Sequence, residues 1–292
     1  MPFIDTRSGT SPFYRDWGTG RPVVFYSAWG MDSTEPRTVM ADLVAHGYRA
    51  IAVDRRGHGR SDDPGHGYDY DTLADDLSDV LDELNVHGAT MVGYSMGGGE
   101  IVRYLTRHGS ARVDRIALVA AALPFLMRTT DNPHGVPVEA ADALRDSRRH
   151  GLDTWLLDNA DPYIGAGLPG CEVSQATRDR VLTLILGTSP HAAIECNRAV
   201  VETDFRAELP RITVPVLIVH GDTDASVSLE LGGRKQAVLI PGSELVVYEN
   251  VPHALYLTHG PRLAADLLAF LGNSPSGSAH HDHGLAAGVT GR

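Results

Sequence analysis

The chain has 292 residues, of which 42% are hydrophobic and 21% are charged, and its formal net charge is −12 at pH 7. This length allows one large domain or two small ones with a sizeable core, and the composition is not that of a disordered chain. The acidic balance leaves no basic stripe to neutralise phosphates, which excludes nucleic acid as an expected partner.

Short runs of β-branched and apolar residues alternate along the chain with longer amphipathic stretches. Continuous apolar runs are typical of parallel strands that are buried on both faces. Leucines at helical spacing predict a helix over residues 73–84, and the pattern returns over 263–271, after Pro261. The alternation predicts an α/β fold, with a mostly parallel sheet and helices on both of its faces. In chain order, the predicted strands cover residues 23–26, 50–53, 90–94, 116–119, 216–219 and 245–248.

The alternation breaks between residues 122 and 212, where helix-like segments carry several Pro and Gly interruptions and no clear strand. We expect this stretch to be a helical cap inserted over the C-terminal edge of the sheet. Residues 1–121 and 213–272 would then form the two parts of the core. Residues 273–292 have the Ser-, Gly- and His-rich composition of a disordered tail.

The cysteine content and the apolar runs bear on the cellular location. Two cysteines, Cys171 and Cys196, are fewer than a disulfide-stabilised secreted protein of this size would use. The first residues lack the apolar core of a signal peptide, and the longest apolar runs are shorter than a membrane span. We therefore expect a cytoplasmic protein that makes no contact with a membrane.

Residues 93–97 read Gly-Tyr-Ser-Met-Gly, a G-x-S-x-G pattern between a predicted strand and a predicted helix. In this context the pattern is typical of a tight turn that lifts a serine hydroxyl clear of the sheet. The turn also directs the Met96 amide at an oxyanion near a helix N-terminus. The alternative is an ordinary glycine-rich turn, but the flanking strand and helix favour Ser95 as a nucleophile in acyl transfer.

A serine hydroxyl is a weak nucleophile at neutral pH and needs a general base. In hydrolases with this turn, the acid follows the serine along the chain and the histidine follows the acid. Of the fourteen histidines, His253 lies just past the last predicted strand, and His259 is its rival nearer the final helix. The loop after the preceding strand offers Asp222 and Asp224. We predict that Asp224 orients His253 and that Asp222 braces the turn.

The loop after the first predicted strand reads Ser-Ala-Trp-Gly over residues 27–30. This loop is expected to supply the second oxyanion donor, for which the Trp29 amide is the candidate. The segment 54–61 lacks the spacing and the lysine of a phosphate-binding loop, so it is predicted to brace the edge of the active site. The expected walls of a pocket for an apolar acyl group are Trp29, Phe125, Trp155 and Leu255.

Neither a metal nor an organic cofactor is expected. Serine-histidine-aspartate chemistry draws its electrophilic assistance from backbone amides. The histidines at 280, 281 and 283 lie in the predicted tail, where a solvated segment is favoured over a metal site.

Several segments together resemble one known family. They are residues 54–61, the run Gly-Tyr-Ser-Met-Gly-Gly-Gly-Glu at 93–100, Glu-Thr-Asp-Phe at 202–205, and Val-His-Gly-Asp at 219–222 with Asp224. Over about residues 11–272 the chain resembles the cofactor-free haloperoxidases, arylesterases and perhydrolases, a group of α/β-hydrolases also called non-heme chloroperoxidases. The resemblance implies a capped α/β-hydrolase fold in a protein that is often oligomeric, so homo-oligomers are expected.

The resemblance also implies a function. It gives Ser95, Asp224 and His253 as the triad, Trp29 and Met96 as the oxyanion amides, and esters, lactones or amides as substrates. Many members also make peracids from carboxylic acids and hydrogen peroxide, with no need for haem or metal. We therefore predict hydrolysis of a small, largely apolar ester or lactone through an acyl-enzyme, with perhydrolysis as a side activity.

One departure from the family lies beside the predicted oxyanion donor. The family usually has His-Gly before the tryptophan and often proline after it, where this chain has Ser27, Ala28 and Gly30. Because a Cβ makes positive φ costly, we expect either a β-region Ala28 with a shifted Trp29 amide or a strained Ala28. The departure motivates an alternative, a tailoring hydrolase of secondary metabolism such as a lactonase or C–C bond hydrolase. A non-catalytic binding protein is disfavoured because the predicted triad is complete.

Overall fold

The computed structural model describes residues 2–272 of the chain. The predicted tail, residues 273–292, lies outside the described residues. The strands, in chain order, are β1 (Tyr14–Trp17), β2 (Pro22–Tyr26), β3 (Arg49–Val53), β4 (Ala89–Tyr94), β5 (Val113–Val119), β6 (Val216–Gly221) and β7 (Glu244–Tyr248). The helices are α1 (Arg37–Ala45), α2 (Tyr70–Glu83), α3 (Met96–His108), α4 (Val138–Ile164), α5 (Gln175–Leu186), α6 (Pro190–Glu202), α7 (Gly233–Leu239), α8 (Leu255–Thr258) and α9 (Gly260–Gly272).

These strands form one seven-stranded sheet in the order β1-β3-β2-β4-β5-β6-β7. All neighbouring pairs are parallel except β1 and β3, which are antiparallel. The predicted mostly parallel α/β fold is therefore confirmed. Strand β1 was not predicted, because its sequence Tyr-Arg-Asp-Trp is an edge strand with only partial burial and no apolar run.

Two hydrophobic clusters lie on the two faces of the sheet. On one face, side chains of β2, β4 and β5 pack with α2 and α3. On the other face, alternate residues of the same strands pack with α1 and α9. All six residues of β4 are buried, as a central strand with helices on both faces requires. The nucleophile turn follows this rigid central strand directly.

Three helices, α4, α5 and α6, fall within the stretch that was predicted to be a helical cap. The long helix α4 is interrupted at Gly151, whose φ and ψ are −172° and 59°. Pro137 precedes α4, and the left-handed Gly165 ends it. Within residues 2–272, no helix is both long enough and apolar enough to cross a bilayer.

Candidate active site

The candidate nucleophile lies in a sharp turn between β4 and α3. Ser95 has φ 51° and ψ −112°, a backbone conformation that non-glycine residues rarely adopt and that costs about 1–3 kcal/mol. The Ser95 amide donates to the carbonyl of Val119 at 2.9 Å, and its carbonyl accepts from the Ala122 amide at 3.1 Å. These two bonds, to the last residue of β5 and to the segment after it, hold the turn in place.

The glycines around the turn permit close backbone approach. A Cβ on Gly97 would lie 2.3 Å from the carbonyl oxygen of Tyr26, and one on Gly93 would lie 2.6 Å from the carbonyl oxygen of Gly97. Side chains at either position would therefore push α3 away from the sheet. The first turn of α3 thus sits directly beside β2 and the loop that follows it.

The predicted acid and base are in contact. His253 Nδ1 lies 2.6 Å from Asp224 Oδ2, and the two residues are 3% and 5% exposed. The other carboxylate oxygen, Asp224 Oδ1, accepts the amides of Ser226 and Val227 at 2.8 Å each. Asp224 is thereby held with one oxygen free for the imidazole. Its position fixes Nδ1 as the proton-bearing nitrogen and leaves Nε2 as the acceptor.

The rival residues make other contacts. Asp222 Oδ1 accepts the Asn250 amide at 2.7 Å, which ties the loop after β6 to the loop after β7. His259 Nδ1 lies 2.9 Å from the hydroxyl of Thr258. The structure therefore brings Asp224 and His253 together and leaves Asp222 and His259 in supporting positions.

Two tyrosines enclose the imidazole of His253. The Tyr94 ring stacks on it with centroids 5.4 Å apart, and the Tyr163 ring lies tilted at 5.6 Å. The Tyr94 hydroxyl donates to the His253 carbonyl. Burial raises the pKa of both phenols, so both stay protonated. Tyr163 comes from α4, and no motif in the sequence connects it with His253.

His220 lies beneath the acid and was not identified from the sequence as a site residue. It is fully buried, its Nε2 lies 2.8 Å from the Val227 carbonyl, and the same nitrogen is 3.4 Å from Asp224 Oδ2. Burial lowers the pKa of His220, so the neutral ring donates from Nε2. The sequence signal that could have identified His220 is its position two residues before Asp222, in a segment that carries the family resemblance.

The loop over residues 27–30 is clamped on both sides of Trp29. The Ala28 amide donates to Glu35 Oε2 at 2.9 Å, while the Arg55 guanidinium donates to the Ala28 carbonyl at 2.8 Å. On the other side, the Gly30 amide donates to His58 Nε2 at 3.3 Å. Arg55 and His58 belong to the segment 54–61, so this segment braces the loop. The Trp29 and Met96 amides, in contrast, donate to no acceptor among the described residues.

Ala28 is not under backbone strain. Within residues 2–272 the non-glycine residues with positive φ are Asn85, Ser95, Ala120 and Asn250, so the strained alternative for Ala28 is wrong. The position before the tryptophan needs no glycine here. The hydrogen bonds that the Ala28 amide donates to Glu35 and that the Ala28 carbonyl accepts from Arg55 are compatible with a Cβ on residue 28.

Burial shifts the pKa of two groups in this clamp in opposite directions. It raises the pKa of Glu35 to about 8, although the Ala28 amide and the Arg55 charge favour the carboxylate. Burial, together with the Arg55 charge, lowers the pKa of His58 to about 3. His58 is therefore neutral at ordinary pH, with Nδ1 donating to the Arg56 carbonyl at 3.0 Å. This tautomer leaves Nε2 free to accept from Gly30.

A cavity of about 340 Å³ lies between the nucleophile turn and the helices α4, α5 and α6. Ser95 and His253 both line it. So do Trp29 and Trp155, whose rings meet edge to face with centroids 6.1 Å apart. Trp29 Nε1 donates to the Ala193 carbonyl at 2.7 Å, which fixes its ring in the wall.

Two of the predicted pocket residues lie elsewhere. Leu255, the first residue of α8, is 0% exposed and packs in the hydrophobic cluster on the α9 face of the sheet. Phe125 packs under the guanidinium of Arg206, 5.0 Å from its ring centroid. Neither residue is part of the lining. The apolar walls come instead from residues of the predicted cap: Leu126, Leu144, Leu156, Val181, Leu182, Ile185, Val200 and Val201.

Within residues 2–272, no three or more His, Cys, Asp and Glu side chains lie close enough together to hold a metal ion. The histidines at 280, 281 and 283 lie outside the described residues.

Several known proteins are similar to this chain over nearly its whole length. A family model described as the alpha/beta hydrolase fold matches residues 21–161. A non-heme chloroperoxidase from Kitasatospora aureofaciens is 40% identical over 93% of this chain and 99% of its own. A bifunctional esterase/perhydrolase from Acinetobacter calcoaceticus is 35% identical over 93% and 99% of the two chains. The crystal structure of a bromoperoxidase from Bacillus anthracis has a TM-score of 0.88 and 32% identity, covering 93% of this chain and 99% of its own.

Proposed function

Because the chain belongs to the α/β-hydrolase family, among enzymes related to non-heme haloperoxidases, esterases and perhydrolases, we propose that it is a serine hydrolase. Ser95 is its nucleophile, His253 the general base and Asp224 the residue that orients the base. The observation that carries this assignment is the 2.6 Å contact between His253 Nδ1 and Asp224 Oδ2, with His253 and Ser95 lining one cavity.

The proposed reaction proceeds through an acyl-enzyme. His253 Nε2 takes the hydroxyl proton as Ser95 Oγ attacks the acyl carbonyl, and Asp224 stabilises the imidazolium. The Trp29 and Met96 amides donate to the tetrahedral oxyanion, a role supported by their lack of other acceptors among the described residues. The imidazolium then protonates the leaving alcohol, and the ester bond breaks. Water, activated by His253, releases the acid and regenerates Ser95.

The proposed substrate is a small ester or lactone with a largely apolar acyl part. A cavity of about 340 Å³ with aliphatic and indole walls supports this class. Hydrogen peroxide in place of water would attack the same acyl-enzyme, so that a peracid leaves and Ser95 regains its proton. The similarity to a bifunctional esterase/perhydrolase supports this side activity.

A pair of serine and histidine variants tests the proposal. Ser95→Ala should lower kcat on 4-nitrophenyl hexanoate by several powers of ten and abolish labelling by a fluorophosphonate probe. His253→Ala should have a comparable effect, whereas His259→Ala, the matched control, should retain activity. If Ser95→Ala keeps more than a few per cent of the wild-type kcat, Ser95 is not the nucleophile.

A further inference from the structure

Arg148, on α4, is a buried cation in the wall of the catalytic cavity. The residue is 9% exposed, and it lines the cavity together with Ser95 and His253. Its guanidinium lies against two indoles, 4.4 Å from the ring centroid of Trp29 and 4.0 Å from that of Trp155. Both rings are themselves cavity walls. The charge is therefore held at a defined place beside the loop that carries the candidate oxyanion donor.

This guanidinium lacks the partners that buried arginines normally have. Its Nε and Nη1 are buried and make no hydrogen bond within the described part of the chain. No carboxylate of residues 2–272 forms an ion pair with Arg148, whereas the next arginine on the helix, Arg149, pairs with Asp146 at 2.7 Å. Stacking on indoles stabilises the charge but leaves its N–H donors unsatisfied. Unsatisfied charged donors in a buried site are strongly unfavourable, so a ligand that supplies acceptors is expected.

The rest of the lining indicates the charge of that ligand. The cavity has no aspartate or glutamate in its wall among the described residues. Its other cation, Arg178, is already paired with Asp161. Asn197 lines the same cavity, and its buried Oδ1 has no hydrogen-bond partner; as an acceptor, this oxygen could take a hydrogen bond from a donor group of the ligand but not from its carboxylate. Burial and the nearby Arg145 charge lower the pKa of Arg148 to about 9, so it remains a cation at neutral pH.

We propose that Arg148 binds a carboxylate at the far end of the substrate, so that the enzyme prefers esters or lactones that carry a free acid group. A planar guanidinium presents paired N–H donors in the geometry that a carboxylate accepts. The scissile carbonyl would lie at Ser95, the carboxylate at Arg148, and the apolar spacer along the aliphatic wall. This inference rests on the proposed serine hydrolase function and specifies its substrate class.

A matched pair of substrates tests the proposal on the wild-type protein. The anionic substrate is the 4-nitrophenyl monoester of adipic acid, and the neutral one is the same compound with its free carboxyl methylated. We expect kcat/KM to favour the anionic ester by about 100-fold, since breaking a buried charge pair commonly costs that much or more. Suberic and succinic monoesters vary the spacer and should locate the optimum length.

Variants at neighbouring positions identify the responsible cation. Arg148→Met keeps the length of the side chain but removes its charge, and should abolish the preference mainly through a higher KM for the anionic ester. The fall in kcat/KM should be much larger for the anionic ester than for the neutral one, which offers the guanidinium no carboxylate. Arg149→Met, one position along and outside the cavity, should keep the preference. Competitive inhibition tests the proposal on the wild-type protein, without any variant. Adipate should inhibit hydrolysis of the neutral ester far better than adipamide does.

The outcomes separate this proposal from the serine mechanism. Equal kcat/KM for the two esters in the wild type, or an anion preference that survives Arg148→Met, would overturn the role of Arg148 while leaving the serine mechanism intact. Failure of the fluorophosphonate to label Ser95, with neither ester hydrolysed, would overturn the serine hydrolase itself. If Arg148→Met does not fold, equal inhibition by adipate and adipamide overturns the proposal.

Discussion

Two aspartates, two residues apart in the loop after β6, make different hydrogen bonds. Asp224 meets the His253 ring, and Asp222 holds the Asn250 amide. Asp224→Asn should lower kcat roughly 10⁴-fold, because an amide can donate to Nδ1 and favour the wrong imidazole tautomer. Asp222→Asn should retain most of the activity and lower the free energy of unfolding by about 1 kcal/mol. Steady-state kinetics and urea unfolding measure both quantities, and a larger kcat loss in Asp222→Asn would reverse the assignment.

The proposed triad could be predicted from the sequence because each member follows a strand that ends at the same edge of the sheet. The G-x-S-x-G context and the chain order of acid and histidine select Ser95, Asp224 and His253. Arg148 and Tyr163 could not be found in this way. Their roles depend on how α4 packs over the sheet, and a lone arginine or tyrosine in an amphipathic helix carries no local signal of that packing.

At the scale of elements, the glycine run in α3 determines how closely this helix approaches its neighbours. A Cβ on Gly99 would lie 2.5 Å from the Tyr70 ring of α2, and one on Gly98 would lie 2.6 Å from the Ala121 Cβ. The run at 97–99 therefore gives α3 a surface without side chains, which packs against β2, the end of β5 and α2. This packing places the N-terminus of α3, with the Met96 amide, at the nucleophile turn.

The close packing of α3 against α2 predicts an effect on the free energy of unfolding that does not depend on catalysis. Gly99→Ala should lower the free energy of unfolding by about 1–3 kcal/mol, because the added methyl group must displace the Tyr70 ring. The matched control is Gly260→Ala in α9, where a Cβ would meet nothing within 4 Å and φ is not positive. Chemical unfolding of the two variants measures the difference. Equal stabilities would show that α2 and α3 are packed less closely than the structure indicates.

Two elements, β1 and α4, could not be predicted from local sequence patterns. Six of the seven strands have apolar runs and were predicted, while β1 is stabilised by pairing with β3 at an edge that local sequence does not indicate. Helix α4 was expected only as part of a helical stretch. Its mixed polar sequence, with Gly151 and Pro162 inside, has no single apolar face from which its length could be predicted.

At the scale of the whole molecule, two buried titratable groups beside the candidate active site make the stability of the fold depend on pH. Glu35 and His58 both brace the loop that carries Trp29. Each of them has a pKa in the folded protein that differs from its pKa in the unfolded chain. The folded-state pKa of His58 is lowered, so stability is lost as the pH falls below the unfolded value near 6.5. The folded-state pKa of Glu35 is raised, so its contribution is complete below pH 4.5 and is lost as the pH rises towards 8.

The raised pKa of Glu35 leads to a prediction for Glu35→Gln. Between pH 5 and 8 the unfolded chain ionises Glu35 while the folded protein resists it, so wild-type stability should fall by about 1.4 kcal/mol per pH unit from this group alone. Glutamine keeps an acceptor for the Ala28 amide and removes the ionisation. The difference in unfolding free energy between variant and wild type should therefore grow with pH across this window, as measured by urea unfolding at unit intervals.

The control is Glu83→Gln, which changes an exposed carboxylate on α2, and its stability should depend on pH in the same way as that of the wild type. Parallel profiles for Glu35→Gln and the wild type would mean that Glu35 is already ionised in the folded protein and that the Ala28 and Arg55 contacts outweigh its burial.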